Sequence, residues 1–359
     1  MSALAATPAL AAPHDTFGPG TAAGTDTTGA VVTICTLATN ATCFFGIYDT
    51  AAGAATANVT STADGEIFHH DNAGLVDISM INAAGDSAEV GAIASGTTLA
   101  NAFLQSPVLQ TGTGTDVTLN FDNDGILLVD AVAVATGGAA TANANADIFV
   151  GVWQLASGTT VDLNLTNDGT VTVLASALAT ATNDANAHAS VSWGIIQDIS
   201  AATTANANLT NNGLVNVGAV AVATADDAFA EAYAENGLAQ YFSGAGIDFG
   251  SGTIVNAGTF NMFATATANG GVSATATATV SNAIEQFITG IATLAVASVS
   301  NAGLISIVAD ANASATAGDA NASANVGSAV NQNVSATGTA NGFFVNGTAA
   351  TLSIVADTF

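Results

Sequence analysis

Alanine falls at every second position through most of NDGTVTVLASALATATNDANAHASVSWGIIQ (Asn167 to Gln197), at Ala175, Ala177 and Ala179 and again at Ala185, Ala187 and Ala189. A period of two marks a strand with one packed face. When that face is lined by methyl groups, whatever covers it has to approach to the distance of two methyls, and few architectures allow this over a long run.

The pattern recurs along the chain. Asn-Xaa-Gly turns place glycines at Gly125, Gly169, Gly213, Gly258 and Gly303, 44 or 45 residues apart; Gly74 stands 51 residues before the first, and Gly347, in an Asn-Gly, 44 after the last. A second marker keeps the same phase, because Gln110, Gln154, Gln197, Gln240, Gln286 and Gln332 recur at intervals of 43 to 46 residues. Turn-forming pairs such as Gly137-Gly138, Asn183-Asp184 and Asp226-Asp227 mark a corner between the two. Two ladders in one phase define a repeat protein.

Within a repeat, the inward positions change size in a fixed order. After the turn come large residues, Val171 and Val173, and then the alanines; after the corner, Ala185, Ala187 and Ala189 come first and Val191 and Trp193 follow. Gly74 read in the same way puts Val76 and Ile78 on a first strand. Two strands with this order meet closely at the corner and diverge away from it, so the cross-section is a wedge. A third alternation, as in Val117, Leu119 and Phe121 or Val161, Leu163 and Leu165, closes the wide side.

The fold expected is all-β: a β-solenoid (parallel β-helix) of about six three-stranded coils with wedge-shaped section, successive coils stacked about 4.8 Å apart. Equivalent residues then lie over one another, and Asn123, Asn167, Asn211, Asn256 and Asn301 form a hydrogen-bonded ladder beside that of the six glutamines. A β-propeller competes, since a four-stranded blade has a similar period, but blades are filled by bulky side chains. A helix does not fit, because the residues between the alanines are poor helix formers and strict alternation scatters alanine around the axis.

Residues 1–70 lie outside the clear repeat and are read as an N-terminal cap or irregular region available for assembly; residues 71–359 are the repeat domain. Its last coil is read as incomplete, in LSIVADTF. Leu352, Ile354, Val355 and Phe359 there belong to a strand that offers an open edge, and open edges drive strand addition between chains. The opening stretch has Ala9-Leu10-Ala11, like a signal-peptide cleavage region, but no basic segment before it, so it is read as a mature start.

Composition narrows the partners. The 359 residues include no Lys or Arg and 27 acids, a formal charge of −27, yet half are apolar and mean hydropathy is +0.49. Disorder pairs high charge with low hydropathy, so this chain is expected to fold. Nucleic acid and anionic lipid are held mainly by basic side chains and are excluded as partners. No apolar run reaches the roughly 20 residues of a membrane helix, so no membrane insertion is expected. Acidic surface without internal cations needs screening by salt or divalent ions, which suits a secreted, extracellular or cell-surface setting.

Catalytic chemistry finds little to use. His14, His69, His70 and His188 make no constellation with a nucleophile, and the neighbours His69 and His70 point to opposite faces of a strand, so no enzyme activity is expected. Asp122 and Asp124, and Asp226 and Asp227, put carboxylates in tight bends as calcium loops do, although Asp, Asn and Gly also make such turns without an ion. Calcium is the one cofactor suggested. Cys35 and Cys43 are the only cysteines; in an oxidising compartment they close a small disulfide loop, and otherwise they are two buried thiols.

The run N-x-G-x-[VIF]-x-[VIM], followed by alanine alternating with Thr, Asn or Ser, resembles the β-strand-repeat surface proteins of Gram-negative bacteria, including autotransporter passenger and adhesin regions. The resemblance covers about residues 70 to 359 and rests on architecture and composition. It implies an exported β-solenoid shaft without a catalytic site, although the chain has no C-terminal membrane barrel and is far more acidic. The function expected is a secreted structural protein that self-assembles head to tail into a filament, sheath or surface layer. The alternative is a cell-surface adhesin that binds a glycan or ice through a flat face of outward Thr, Asn and Ser.

Overall fold

The structure, a computed structural model, describes residues 30–35, 42–50, 54–59, 68–71, 75–82, 87–136, 140–200, 203–244 and 247–359, with side chains from residue 91 onward apart from 93 and 111–115. The described residues are all-β, without a helix. In chain order the strands are β1 (Ala30–Cys35), β2 (Thr42–Thr50), β3 (Ala54–Val59), β4 (Phe68–Asp71), β5 (Leu75–Asn82), β6 (Ser87–Gly96), β7 (Leu99–Leu104), β8 (Val108–Asn123), β9 (Ile126–Thr136) and β10 (Thr141–Asn167). They continue as β11 (Thr170–Thr180), β12 (Asp184–Ser200), β13 (Thr204–Asn211), β14 (Leu214–Ser243), β15 (Ile247–Asn256), β16 (Thr259–Asn301), β17 (Leu304–Ala315), β18 (Ala320–Ala336), β19 (Thr339–Asn346) and β20 (Thr351–Thr358).

Among these, only β1 and β2 pair antiparallel. Every other pairing is parallel, and each partner lies one repeat further along: Val171 pairs with Leu127 of the preceding circuit and with Val215 of the next. One circuit, here called a coil, is β11, β12 and β13; the next is β14 with β15; the one after is β16 alone. β11 stops at the corner pair as expected, whereas β14 and β16 run through theirs, and β16 continues for 43 residues. In the coil of β14 the corner pair Asp226-Asp227 produces only a register shift between Ala225 and Asp227. Because β10, β14 and β16 each turn corners and so take part in more than one ladder, the pairings close into a parallel barrel core of six strands, with further strands outside it.

The register corrects the phase of the first repeat. Asn82 pairs with Asn123, so Asn82, and not the Asn72 of the Asn-Ala-Gly turn at Gly74, is the equivalent of the later turn asparagines. Val76 and Ile78 accordingly pair with Val117 and Leu119 on the third side of a coil, whereas the first-strand place belongs to β6, whose Ser87 pairs with Ile126. Parallel pairing also reaches back into the stretch set aside as a cap: β2, β3 and β4 pair with β6, β7 and β8.

Two cores run along the stack. The larger holds the alanines of both strands that flank the corner, so that Ala175, Ala177 and Ala179 share one fully buried cluster with Ala185, Ala187 and Ala189. Val171, Val173 and Val191 extend the same cluster away from the corner. The second lies between the end of the middle strand and the third side, and here residue size is exchanged across the gap. Ala156 shares it with Val161 and Leu163, Ile199 with Ala205 and Ala207, and in the next coil the large member is Phe242. Its third-side neighbours are glycines, and a Cβ on Gly250 would meet Ile291 and Phe242 at 2.8 and 3.2 Å. Constant total volume keeps such a core packed while individual residues vary.

Candidate functional site

The asparagine that opens each turn is buried and spans two coils. Asn167 donates its amide to Asn211 Oδ1 at 2.8 Å and to the Leu214 carbonyl at 3.1 Å; Asn211 repeats this with Asn256 and Thr259, and Asn256 with Asn301 and Leu304. Asn123 begins the described series with Asn167 at 2.6 Å, and Asn301 passes it to Asn346 at 2.7 Å. The turn amides are held too, since Asn212 N–H and Gly213 N–H both donate to the Asn167 carbonyl below. Glycine at the turn follows from this stacking: a Cβ on Gly213 would collide with the Gly169 carbonyl oxygen of the previous coil.

The glutamines form a second ladder, and it runs the other way. Gln197 donates to Gln154 Oε1 in the preceding coil at 2.8 Å and to the Asn208 carbonyl across its own coil at 3.0 Å. Gln154, Gln240, Gln286 and Gln332 do the same toward Gln110, Gln197, Gln240 and Gln286. Gln110 reaches across to the Asn120 carbonyl. Each glutamine thus ties the middle strand to the third side, at the division between the two cores. The buried amides are paired along and across the stack, which removes the penalty of burying them.

The acidic candidates are dispersed. Burial first, then the carboxylates of Asp124 and of Asp168 in the next coil, push the Asp122 carboxyl up. Asp168 also accepts from the Asn212 amide at 2.7 Å. Asp227 accepts from Ser273 at 2.7 Å and pairs in register with Asp184, while Asp226 sits at the corner beside it. Among the described residues no three His, Cys, Asp or Glu side chains converge as a metal site. Cys35 and Cys43 are register partners across the β1–β2 hairpin, but their side chains, like those of His69 and His70, lie outside the described set, as does His14 altogether. His188 lies between two coils' carboxylates, with Nε2 3.5 Å from Asp147 and Nδ1 3.6 Å from Glu231. The hydrogen bond to Asp147, opposed by desolvation, and then the two negative charges hold its imidazolium above the ordinary histidine range.

At the last coil, β18, β19 and β20 pair on one side only among the described residues. Leu352 and Ile354 stand over the buried Ile305 and Ile307, and Ile354 is 50% exposed where Ile307 is covered. Val355 stands over Val308, and Phe359, 69% exposed, closes the edge with hydrogen bonds to Ala311 and Ala313. The ladders are open here as well: among the described residues Gln332 Oε1 accepts no hydrogen bond, and the Asn346 amide finds only the Ala350 carbonyl at 3.5 Å.

One feature of the surface was missed in the sequence. On the outside of the stack a groove of about 360 Å³ is lined by Phe149, Trp153, Trp193, Asp198, Tyr241 and Phe287 from four successive coils, over a small apolar cluster of Val150, Ile196 and Ala239; Trp193, read as inward from the sequence, belongs to this cluster and not to the alanine core. The Trp193 and Tyr241 rings meet edge to face at 5.2 Å, and Tyr241 stacks on Phe287 at 6.0 Å. The Tyr241 hydroxyl donates to Glu285, and burial followed by that contact pushes it far above the ordinary tyrosine value. The signal was present beside the glutamine markers, since Trp153, Tyr241 and Phe287 each adjoin one. No protein-family model, curated protein or solved structure matches this chain.

Proposed function

We propose that the coils form a parallel β-solenoid of wedge-shaped section, and that the protein is a structural element that stacks head to tail into an extracellular filament, sheath or surface layer. The observation that carries this reading is the stacking of like on like through every inner coil, a binding edge that β18–β20 presents again. There the inward Ile354 is 50% exposed, the Asn346 amide has hydrogen to donate, and the Gln332 oxygen has no donor among the described residues. A further coil, from the same chain or another copy, extends both ladders without new chemistry, because every inner coil already binds its neighbour in this way. A solenoid accounts for the pairings better than an ordinary barrel, since each parallel partner is the same position one repeat on.

The acidity supports an ion-rich exterior, where salt screens repulsion between stacked carboxylates such as Asp184 and Asp227. The resemblance to bacterial β-repeat surface proteins points the same way. Electron microscopy of the concentrated protein in salt tests the proposal, with ordered fibres or sheets expected for the native chain and dispersed particles for Ile354→Asp. Native protein that sediments as a monomer at high concentration overturns it.

A further inference from the structure

We infer that the groove between Trp153, Trp193, Asp198, Tyr241 and Phe287 is a binding site for an organic cation bearing an alkylammonium group. It is a site of this surface, and it stands or falls independently of whether the molecule polymerises.

Side chains on the outer face of a strand stack ordinarily point into water singly. Here Val150, Ile196 and Ala239 pack with Trp153, Trp193 and Tyr241 into one outer cluster, and aromatic rings from four coils line a groove of about 360 Å³, within the range of small-molecule sites. The Tyr241 ring is fixed by its hydroxyl's bond to Glu285 and by its contacts with Trp193 and Phe287, so the wall is formed before any ligand arrives.

The chemistry of the wall selects the ligand. Aromatic faces carry negative quadrupole charge and attract cations, Trp most strongly. Among the described residues Asp198, the one carboxylate of the lining, has neither a hydrogen-bond nor an ion-pair partner. Burial pushes its carboxyl up, the response of an acid left without a counter-charge. No internal cation competes for it, because the chain has no Lys or Arg, and its charge of −27 draws cations toward the surface and repels anions. A sugar suits the groove less well. Polyhydroxylated ligands need several hydrogen-bonding groups, whereas the lining offers the Asp198 carboxylate and the Ser243 hydroxyl, and the Trp153 indole N–H is buried with no partner and out of reach.

The readout is built in. The chain contains two tryptophans, Trp153 and Trp193, and both line the groove, so intrinsic tryptophan fluorescence reports on this site alone. Titration of the full chain with choline chloride should give a saturable change. The neutral isostere 3,3-dimethylbutan-1-ol should bind roughly tenfold more weakly, the range of a desolvated cation–π contact. Asp198→Asn, on the outer face, should keep the far-ultraviolet circular dichroism of the native chain and lose about fivefold or more in choline affinity. A lysyl peptide that competes with choline for the same signal shows that the site also takes a primary ammonium, and one that does not compete shows that it selects the quaternary group. The inference is overturned if choline produces no saturable change, if the neutral isostere binds as well, if Asp198→Asn binds choline undiminished, or if a neutral oligosaccharide saturates the signal where choline does not.

Discussion

The two cores of each coil obey different rules. In the alanine seam the same residue returns at the same place in every coil, as in Ala133, Ala177, Ala221, Ala266 and Ala311, each essentially unexposed. In the second core a small residue on one wall is met by a large one on the other, and the pair changes from Ala156 with Leu163 to Ile199 with Ala207. The difference is one of spacing. Where two walls stand a methyl apart, no larger side chain has an opposite number able to shrink; where they stand further apart, volume is traded across the gap and only its sum is held.

The glutamine column divides the two cores, and breaking it should have the largest effect. Gln197→Leu keeps much of the volume but takes the donor from the Asn208 carbonyl and the Gln154 oxygen, while the Gln240 amide keeps the Ala207 and Thr253 carbonyls. At about 1–3 kcal/mol for each of these two groups, denaturant unfolding should register a loss of up to about 6 kcal/mol. Phe242→Ala in the wide core should lose about 3–5 kcal/mol. Adding Gly250→Ala to that variant refills part of the space, so the pair should fall short of additivity by at least about 0.5 kcal/mol; strict additivity would contradict exchange of size across the gap. In the seam, Ala177→Leu should lose about 1–3 kcal/mol by overpacking. An unchanged melting temperature there would show the seam to be wider than its alanines indicate.

The smallest effect belongs to neither core. His188 is about a third exposed between Asp147 and Glu231, and its folded-state pKa lies above the ordinary 6.5. The stability it contributes is present in full below that value and is lost as pH rises through the raised one. Replacing it by glutamine should therefore lower the melting temperature slightly at pH 6 and hardly at all at pH 9. An equal deficit at both would show that shape, and not charge, is what the position supplies.

How far the sequence could be read follows the same division. Inward positions repeat because packing forces them to, so the alanine columns and the asparagine and glutamine markers announce strands, turns and register before any coordinates. The first repeat misled because Asn72-Ala73-Gly74 satisfies a turn motif as well as any other, whereas the asparagine in register, Asn82, is followed by two alanines before Gly85. A motif records what a turn tolerates; only pairing with the next coil records which turn it is. The groove was hidden for the opposite reason. Trp153, Asp198 and Tyr241 do not repeat one another, and a reading built on recurrence passes over residues that occur once; Trp193 it takes for an inward residue after Val191, because the alternation is carried two residues too far.

The two amide columns give the stack a direction. Asparagine hydrogens point toward the later coils and glutamine hydrogens toward the earlier ones, so opposite ends of the molecule are chemically unlike. Two copies brought together by the same end would set hydrogen against hydrogen in one column and lone pair against lone pair in the other. Any fibre made of them would be a one-way object, adding subunits in a single orientation and telling its tip from its base along its whole length.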